Sequence, residues 1–344
     1  MLRLAARHAL SARGGALRLS ASSRRGGGAS TFGRGTVGTR ALLSSTPKWE
    51  EYAKDVGLSS VRGVGQVVFC DKVVEGGLIL GGLFVGDPGL AAGAALGGAS
   101  ATVAAQAMGG DRATVERGLA SYNGVLVGAA FSAFLPGAAL APTVAAAAAT
   151  APLSAAFGRL CGRVPQYTLA FNAVALSALA FVRPLAEAAP AAAAAAQASA
   201  LDVVRAPLVG VSQIFVVDSP LTGAAILLAL ARADPAHAAH ALAGSALGSC
   251  VGLALGAPVD EVVHGLWGFN SALAALGVSV FFSPSAASRT LAAGGAASAA
   301  VVFGGLKTAM GAAFAVPALT LPFCAVAACC HVLPDAGVAK LTRR

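Results

Sequence analysis

The sequence predicts an all-α membrane protein of about ten transmembrane helices, arranged as two inverted five-helix repeats around a central pore with half-membrane (re-entrant) pore segments. Three observations carry that prediction. Of 344 residues, 56% are hydrophobic and 11% charged, with a mean hydropathy of +0.74, so most of the surface must face lipid rather than water. Apolar stretches of about 20 residues, the length that crosses a bilayer, follow one another from residue 63 onward. The first set of stretches returns, position by position, 147 residues later.

The chain opens on residues 1–48, which hold eight Arg, one Lys and no acid. An Arg- and Ser-rich, acid-free leader without a long apolar run has the composition of a mitochondrial or plastid transit peptide, or of a disordered tail. This leader accounts for the whole net charge of +9, because the remaining chain balances 15 basic against 15 acidic residues. The body therefore offers no polyanion-binding face, and nucleic acid is not an expected partner. Six cysteines (Cys70, Cys161, Cys250, Cys324, Cys329, Cys330) lie almost entirely within apolar runs without CxxC spacing and read as small buried hydrophobes.

Spans are predicted near 63–86, 88–108, 118–137, 139–157 and 166–186, and again near 208–231, 236–257, 262–283, 289–306 and 308–333. The first transmembrane half is then 49–186 and the second 208–333. An Ala/Pro-rich linker, 187–207, joins them, and 334–344 form a C-terminal tail. At the 147-residue offset Gly63 recurs as Gly210, Gln66 as Gln213 and Asp71 as Asp218. Asp87-Pro88 recurs as Asp234-Pro235, and Asn123 as Asn270. Further on, an offset of 152 carries Pro165 to Pro317, Thr168-Leu169 to Thr320-Leu321, and Phe171 to Phe323. With an odd number of spans, the second copy enters the membrane from the opposite side, and a solute path is expected between the halves. Gly244, Gly248, Gly252 and Gly256 fall on one helix face, with Gly97, Ala101, Ala105 and Gly109 as repeat partners. Such faces let helices pack backbone to backbone in lipid.

Polar side chains that recur in both halves of a membrane interior call for a reason, because each costs free energy without a partner. Gln66 and Gln213 follow glycine-containing turns; they line a pore with a neutral acceptor or bond backbone at a broken helix. Asn123 and Asn270 sit beside small residues and suit the capping of a half-helix that ends in mid-membrane. The aromatic before each, Tyr122 or Phe269, can wall a slot. Thr168 and Thr320 each follow a proline by three residues; they face a lumen or bond their own helix. Together these residues describe a duct of uncharged acceptors and apolar walls. Acceptors on two sides of a slot can replace the water around a flat solute with four N–H donors, and a lining without fixed charge refuses ions.

The runs Arg62-Gly63-Val64-Gly65-Gln66-Val67-Val68-Phe69, Gly118 to Gly128, Gly265 to Ala274, and Leu319-Thr320-Leu321-Pro322-Phe323 closely resemble those of the urea transporter family over about residues 55–333. The resemblance implies a homotrimer in the lipid bilayer, each protomer conducting urea passively through its own pore. It assigns the filter to Gln66, Gln213, Thr168 and Thr320, and the slot walls to Val67, Phe69, Tyr122, Leu126, Ile214, Phe269 and Leu273. It points to the plasma membrane, whereas the leader points to a mitochondrial or plastid membrane. Two positions depart from the family pattern: Ala170 stands where a proline is usual, opposite Pro322, and Tyr122 adds a hydroxyl.

Other classes fit less well. An ammonia channel needs facing lumenal histidines, yet His264 aligns with Arg117 and His331 has no counterpart in the first half. A facilitator or ion-coupled transporter for another small amide or ammonia is the alternative, with Asp71 and Asp218 the acids that could couple an ion. No nucleophile–base pair, paired carboxylates or metal-ligand spacing is present, so no catalytic residue, cofactor or metal is expected.

Overall fold

The Asp-Pro pairs start helices as their chemistry dictates. In the computed structural model of the protein, which describes residues 48–135, 140–182, 199–335 and 341–344, the Asp87 carboxylate accepts from Leu90 N at 2.9 Å with Pro88 in the first turn. Asp234 accepts from Ala236 N at 2.9 Å ahead of Pro235. Each pair satisfies an orphan N–H and places proline where no N–H is needed.

The described residues form α1 (Lys48–Gln66), α2 (Val73–Gly86), α3 (Pro88–Ala107), a short α4 (Arg112–Glu116), α5 (Tyr122–Phe134), α6 (Leu140–Cys161) and α7 (Leu169–Val182). There follow α8 (Ala200–Ser212), a 3-10 turn at Gln213–Phe215, α9 (Pro220–Ala233), α10 (Pro235–Ala254), α11 (Val259–Val263), α12 (Phe269–Phe281), α13 (Ala286–Phe314) and α14 (Leu321–Val332). The bounds of α2, α3, α4 and α5 recur 147 residues on as those of α9, α10, α11 and α12.

The spans differ from the sequence expectation. Among the described residues three helices, Pro88–Ala107, Leu140–Cys161 and Ala286–Phe314, are long and apolar enough to cross a membrane, and α8 with α9 forms a further apolar stretch bent by 77° at the break between them. The stretch 63–86 is likewise interrupted, at residues 67–72 between α1 and α2. The stretches 118–137, 166–186 and 262–283 hold helices of only 13, 14 and 13 residues. At 1.5 Å per residue these reach about 20 Å, short of a hydrocarbon core of about 30 Å. The stretches 289–306 and 308–333 divide elsewhere than predicted, because α13 runs on to Phe314 and α14, with 12 residues, starts at Leu321. A hydropathy window averages over such breaks, since they are a few residues long and lie between apolar stretches. Most of the leader, residues 187–198 of the linker and 336–340 of the tail lie outside the described residues, while Ala200–Pro207 belong to α8.

Packing follows the small residues. α3 lies against α5 and α6, α10 against α12 and α13, and α2 against α9. A Cβ on Gly97 would sit 2.1 Å from the Gly124 carbonyl oxygen, so α3 and α5 meet backbone to backbone. In lipid, apolar burial drives little association between helices, and close van der Waals fit takes its place. Gly109 and Gly256 fall outside the packed faces: they end their helices with φ of 71° and 77°.

Candidate functional site: two cavities meeting at a threonine pair

The site is built at helix ends held in left-handed backbone. Phe69 (φ 64°) and Val216 (φ 63°) are repeat partners, as are Tyr167 (φ 47°) and Leu319 (φ 47°). Such a conformation costs a non-glycine residue about 1–2 kcal/mol and persists where the surroundings impose it, typically at functional sites. Phe69 and Val216 follow the end of α1 and the 3-10 turn, while Tyr167 and Leu319 come two residues before α7 and α14.

The glutamines sit at the first pair of breaks. Gln66 Nε2 donates to the Arg117 carbonyl at 2.9 Å, and Gln213 Nε2 donates to the His264 carbonyl at 2.9 Å. Both bonds use the amide nitrogen, which leaves the side-chain carbonyl as an acceptor. Close approach makes this geometry available: Gly118 (φ 75°) and Gly265 (φ 73°) precede α5 and α12, and a Cβ there would lie 2.4 and 2.5 Å from Gly63 N and Gly210 N.

Two cavities open beside these glutamines. One, of about 560 Å³, is lined by Gln66, Val67, Phe69, Tyr122, Gln166, Tyr167 and Thr168, with Phe281 and Phe323 reaching in from later in the chain. The other, of about 630 Å³, is lined by Gln213, Ile214, Val216, Phe269, Leu319 and Thr320, with Phe134 and Phe171 from earlier in the chain. Phe134 and Phe281 are repeat partners, as are Phe171 and Phe323, so each cavity borrows the same two rings from the other copy. The charged lining residues are Asp111 and Arg159 in the first cavity and Asp218 and Lys307 in the second, one acid and one base in each.

The cavities abut at a buried polar knot. Thr168 Oγ1 and Thr320 Oγ1 lie 2.7 Å apart, and both residues are 3% exposed. Asn172 Nδ2 donates to the Thr168 carbonyl and to Thr320 Oγ1, each at 2.9 Å, while its Oδ1 accepts from Thr320 N at 3.2 Å. Cys324, the repeat partner of Asn172, lies 3.1 Å from Thr168 Oγ1 through its sulfur. Two hydroxyls carry two donors and four acceptor sites between them, more than these contacts use, so a solute N–H or carbonyl can be exchanged into the pair.

The asparagines tie the ends of α7 and α14. Asn123 Oδ1 accepts from Phe171 N at 3.1 Å and Asn270 Oδ1 accepts from Phe323 N at 3.0 Å, each an orphan N–H in a first helical turn. The amide nitrogens then diverge. Asn270 Nδ2 donates to the Leu319 carbonyl at 3.1 Å, whereas Asn123 Nδ2 donates to Ser154 Oγ at 3.1 Å. In the first copy the Tyr122 hydroxyl takes over, donating to the Tyr167 carbonyl at 2.5 Å and accepting from Gln166 Nε2 at 2.7 Å. Tyr122 thus replaces a structural donor. Its counterpart Phe269 packs edge-on against Phe303 instead.

Of the residues singled out in the sequence, Gln66, Val67, Phe69, Tyr122 and Thr168 gather at the first cavity and Gln213, Ile214, Phe269 and Thr320 at the second. Leu126 and Leu273 line neither; both are 1% exposed, in the apolar core. Sequence reasoning missed Asn172, since a search for polar residues shared by both copies passes over an Asn aligned with Cys324. It also missed Phe134 and Phe281, whose signal was the repeat itself.

Comparison with known proteins gives the family. The family model described as "UT: Urea transporter" matches residues 58–334. Urea transporter 1 of Rattus norvegicus is 34% identical over 281 residues, covering 77% of this chain and 73% of that protein. Urea transporter 1 of Mus musculus is 33% identical and that of Ovis aries 31% identical over the same shares. The protein is an integral membrane protein, and it belongs to the urea transporter family.

Proposed function

We propose that the protein conducts urea down its gradient, without coupling to an ion, through the path formed by the two cavities. The observation that carries this reading is the Thr168–Thr320 pair, where two repeat-related cavities with mostly apolar walls meet at neutral oxygens. Urea is planar and offers four N–H donors and a carbonyl. The side-chain carbonyls of Gln66 and Gln213 accept its N–H groups as water is shed, the phenylalanines and Tyr122 hold its faces, and the threonine hydroxyls exchange partners with it at the centre. An ion receives no compensating charge there for its lost hydration. This is transport through a neutral filter, with no bond made or broken.

The finer architecture belongs to the same proposal. Residues 49–186 and 208–333 are two inverted halves, with α5, α7, α12 and α14 as half-membrane pore segments and α1–α2 and α8–α9 as broken spans. The recurrence of helix bounds at one offset supports it, as do the repeat-related strained residues. The protein assembles as a homotrimer with one pore in each protomer, as the family resemblance implies. Fusing residues 1–48 to a fluorescent reporter separates a plasma-membrane from an organellar address.

Proteoliposomes without a proton or sodium gradient test the mechanism: saturable urea equilibration is expected, and arrest would mean coupling. Asp71 and Asp218 are engaged by Arg117 and His264 at helix breaks, which leaves neither as an obvious coupling site. In the same assay Gln213→Leu should slow urea entry while trimer assembly is retained; unchanged flux would remove that glutamine from the filter.

A further inference from the structure

The repeat that duplicates the glutamines also duplicates the way each is held, with one chemical difference. In the first copy Arg117, just past α4, donates from Nη2 to Asp71 at 2.8 Å and gives its carbonyl to Gln66. In the second copy the equivalent residue past α11 is His264, which bonds Asp218 through Nδ1 and gives its carbonyl to Gln213. A guanidinium keeps its charge at any physiological pH, whereas an imidazole does not.

His264 also faces a second carboxylate. Its Nε2 lies 3.3 Å from Asp260 Oδ1, so both ring nitrogens face carboxylates. A neutral imidazole has one N–H and serves one of them; only the imidazolium serves both. The other charges nearby favour the charged form or are otherwise engaged. Asp202 on α8 lies within the field of the ring, with Arg205 as its own cationic neighbour. Glu261 is bound to Lys307 and to Trp267 Nε1. On α10 the ionisable residues are His237 and His240, in the first two turns, and the exposed thiol of Cys250 near the end that leads into α11.

We propose that His264 is a positioning residue for Gln213: its imidazolium bridges Asp218 and Asp260, fixes the peptide that holds the glutamine amide, and makes urea permeation depend on pH at one mouth of the pore only. This inference rests on the urea-conducting reading. The hydrogen bond to Asp218, helped by the fields of Asp218 and Asp260, raises the imidazole above its ordinary value of 6.5. The bridge is therefore complete below that value and is lost as pH rises through the raised one. Urea itself does not titrate in this range.

The test compares wild type, His264→Arg and His264→Gln in proteoliposomes from about pH 6 to about pH 9, a window that brackets histidine titration, with melting in detergent over the same range. Wild-type urea flux should fall about 2- to 5-fold towards the alkaline end, the range expected for weakening one hydrogen bond, and its melting temperature should fall with it. His264→Arg should hold the acid-side flux at every pH, as Arg117 does for Gln66, and His264→Gln should stay at the alkaline-side level. A flat wild-type profile, or a slope that survives in either variant, overturns the proposal. Saturable but pH-independent wild-type flux sinks this inference alone, whereas absence of urea flux at every pH sinks the transport reading and this one's claim on flux with it.

Discussion

The most exacting positions at the residue scale are the two threonines. Each hydroxyl is both donor and acceptor, and the pair lies where the two cavities abut. Removing one oxygen from a desolvated passage should cost the solute one hydrogen bond. Thr320→Val is therefore expected to raise the barrier by about 1 kcal/mol and lower urea flux about 5-fold, as read by stopped-flow equilibration at low urea. A flux equal to wild type would place the solute path elsewhere. The threonines were legible in the sequence because they recur behind paired prolines. Asn172, which bonds both of them, was not, because its counterpart is Cys324 and no rule of recurrence finds a residue that occurs once. Tyr122 was legible as a departure, but only the structure gives its task, the donation to the Tyr167 carbonyl that Asn270 makes to Leu319 in the second copy.

Among the elements, the short helices α5, α7, α12 and α14 supply aromatic walls of the two cavities, and their ends carry the stability. α14 begins two residues past Leu319, which is held in left-handed backbone, and depends on Asn270, which accepts from Phe323 N and donates to the Leu319 carbonyl. Both partners are buried, so Asn270→Ala leaves two polar groups without replacements. A loss of stability of about 2–5 kcal/mol is expected from two such groups, visible as a lower melting temperature in detergent. Asn123→Ala should cost less, because the Tyr167 carbonyl keeps its donor from Tyr122. Equal losses for the two variants would contradict this division of labour. The elements were only half legible from the sequence. Apolar stretches located most helices and the paired glutamines pointed to a broken helix, yet the break points at Phe69 and Val216 were not legible, since Phe and Val in left-handed backbone carry no glycine signal.

For the whole molecule, everything turns on the orientation of the two copies. Helix bounds that recur at one offset, strained residues that recur in pairs, and phenylalanines exchanged between cavities all follow if the copies are related by a two-fold axis. A passage with equivalent linings at its two mouths follows as well. The proposed axis in the membrane plane, which goes with an odd number of spans, sends equivalent positions to opposite sides of the bilayer. Arg112 and Val259 are such positions, the first residues of α4 and α11, with the Arg112 side chain 86% exposed and Val259 46% exposed. In a background with the exposed Cys250 and Cys329 replaced, Arg112→Cys and Val259→Cys should differ towards a membrane-impermeant maleimide. One should react in sealed vesicles, the other only after permeabilisation. Labelling of both from one side would mean copies inserted in the same orientation, and the paired cavities would then lack the symmetry that makes one neutral filter serve both directions of flow.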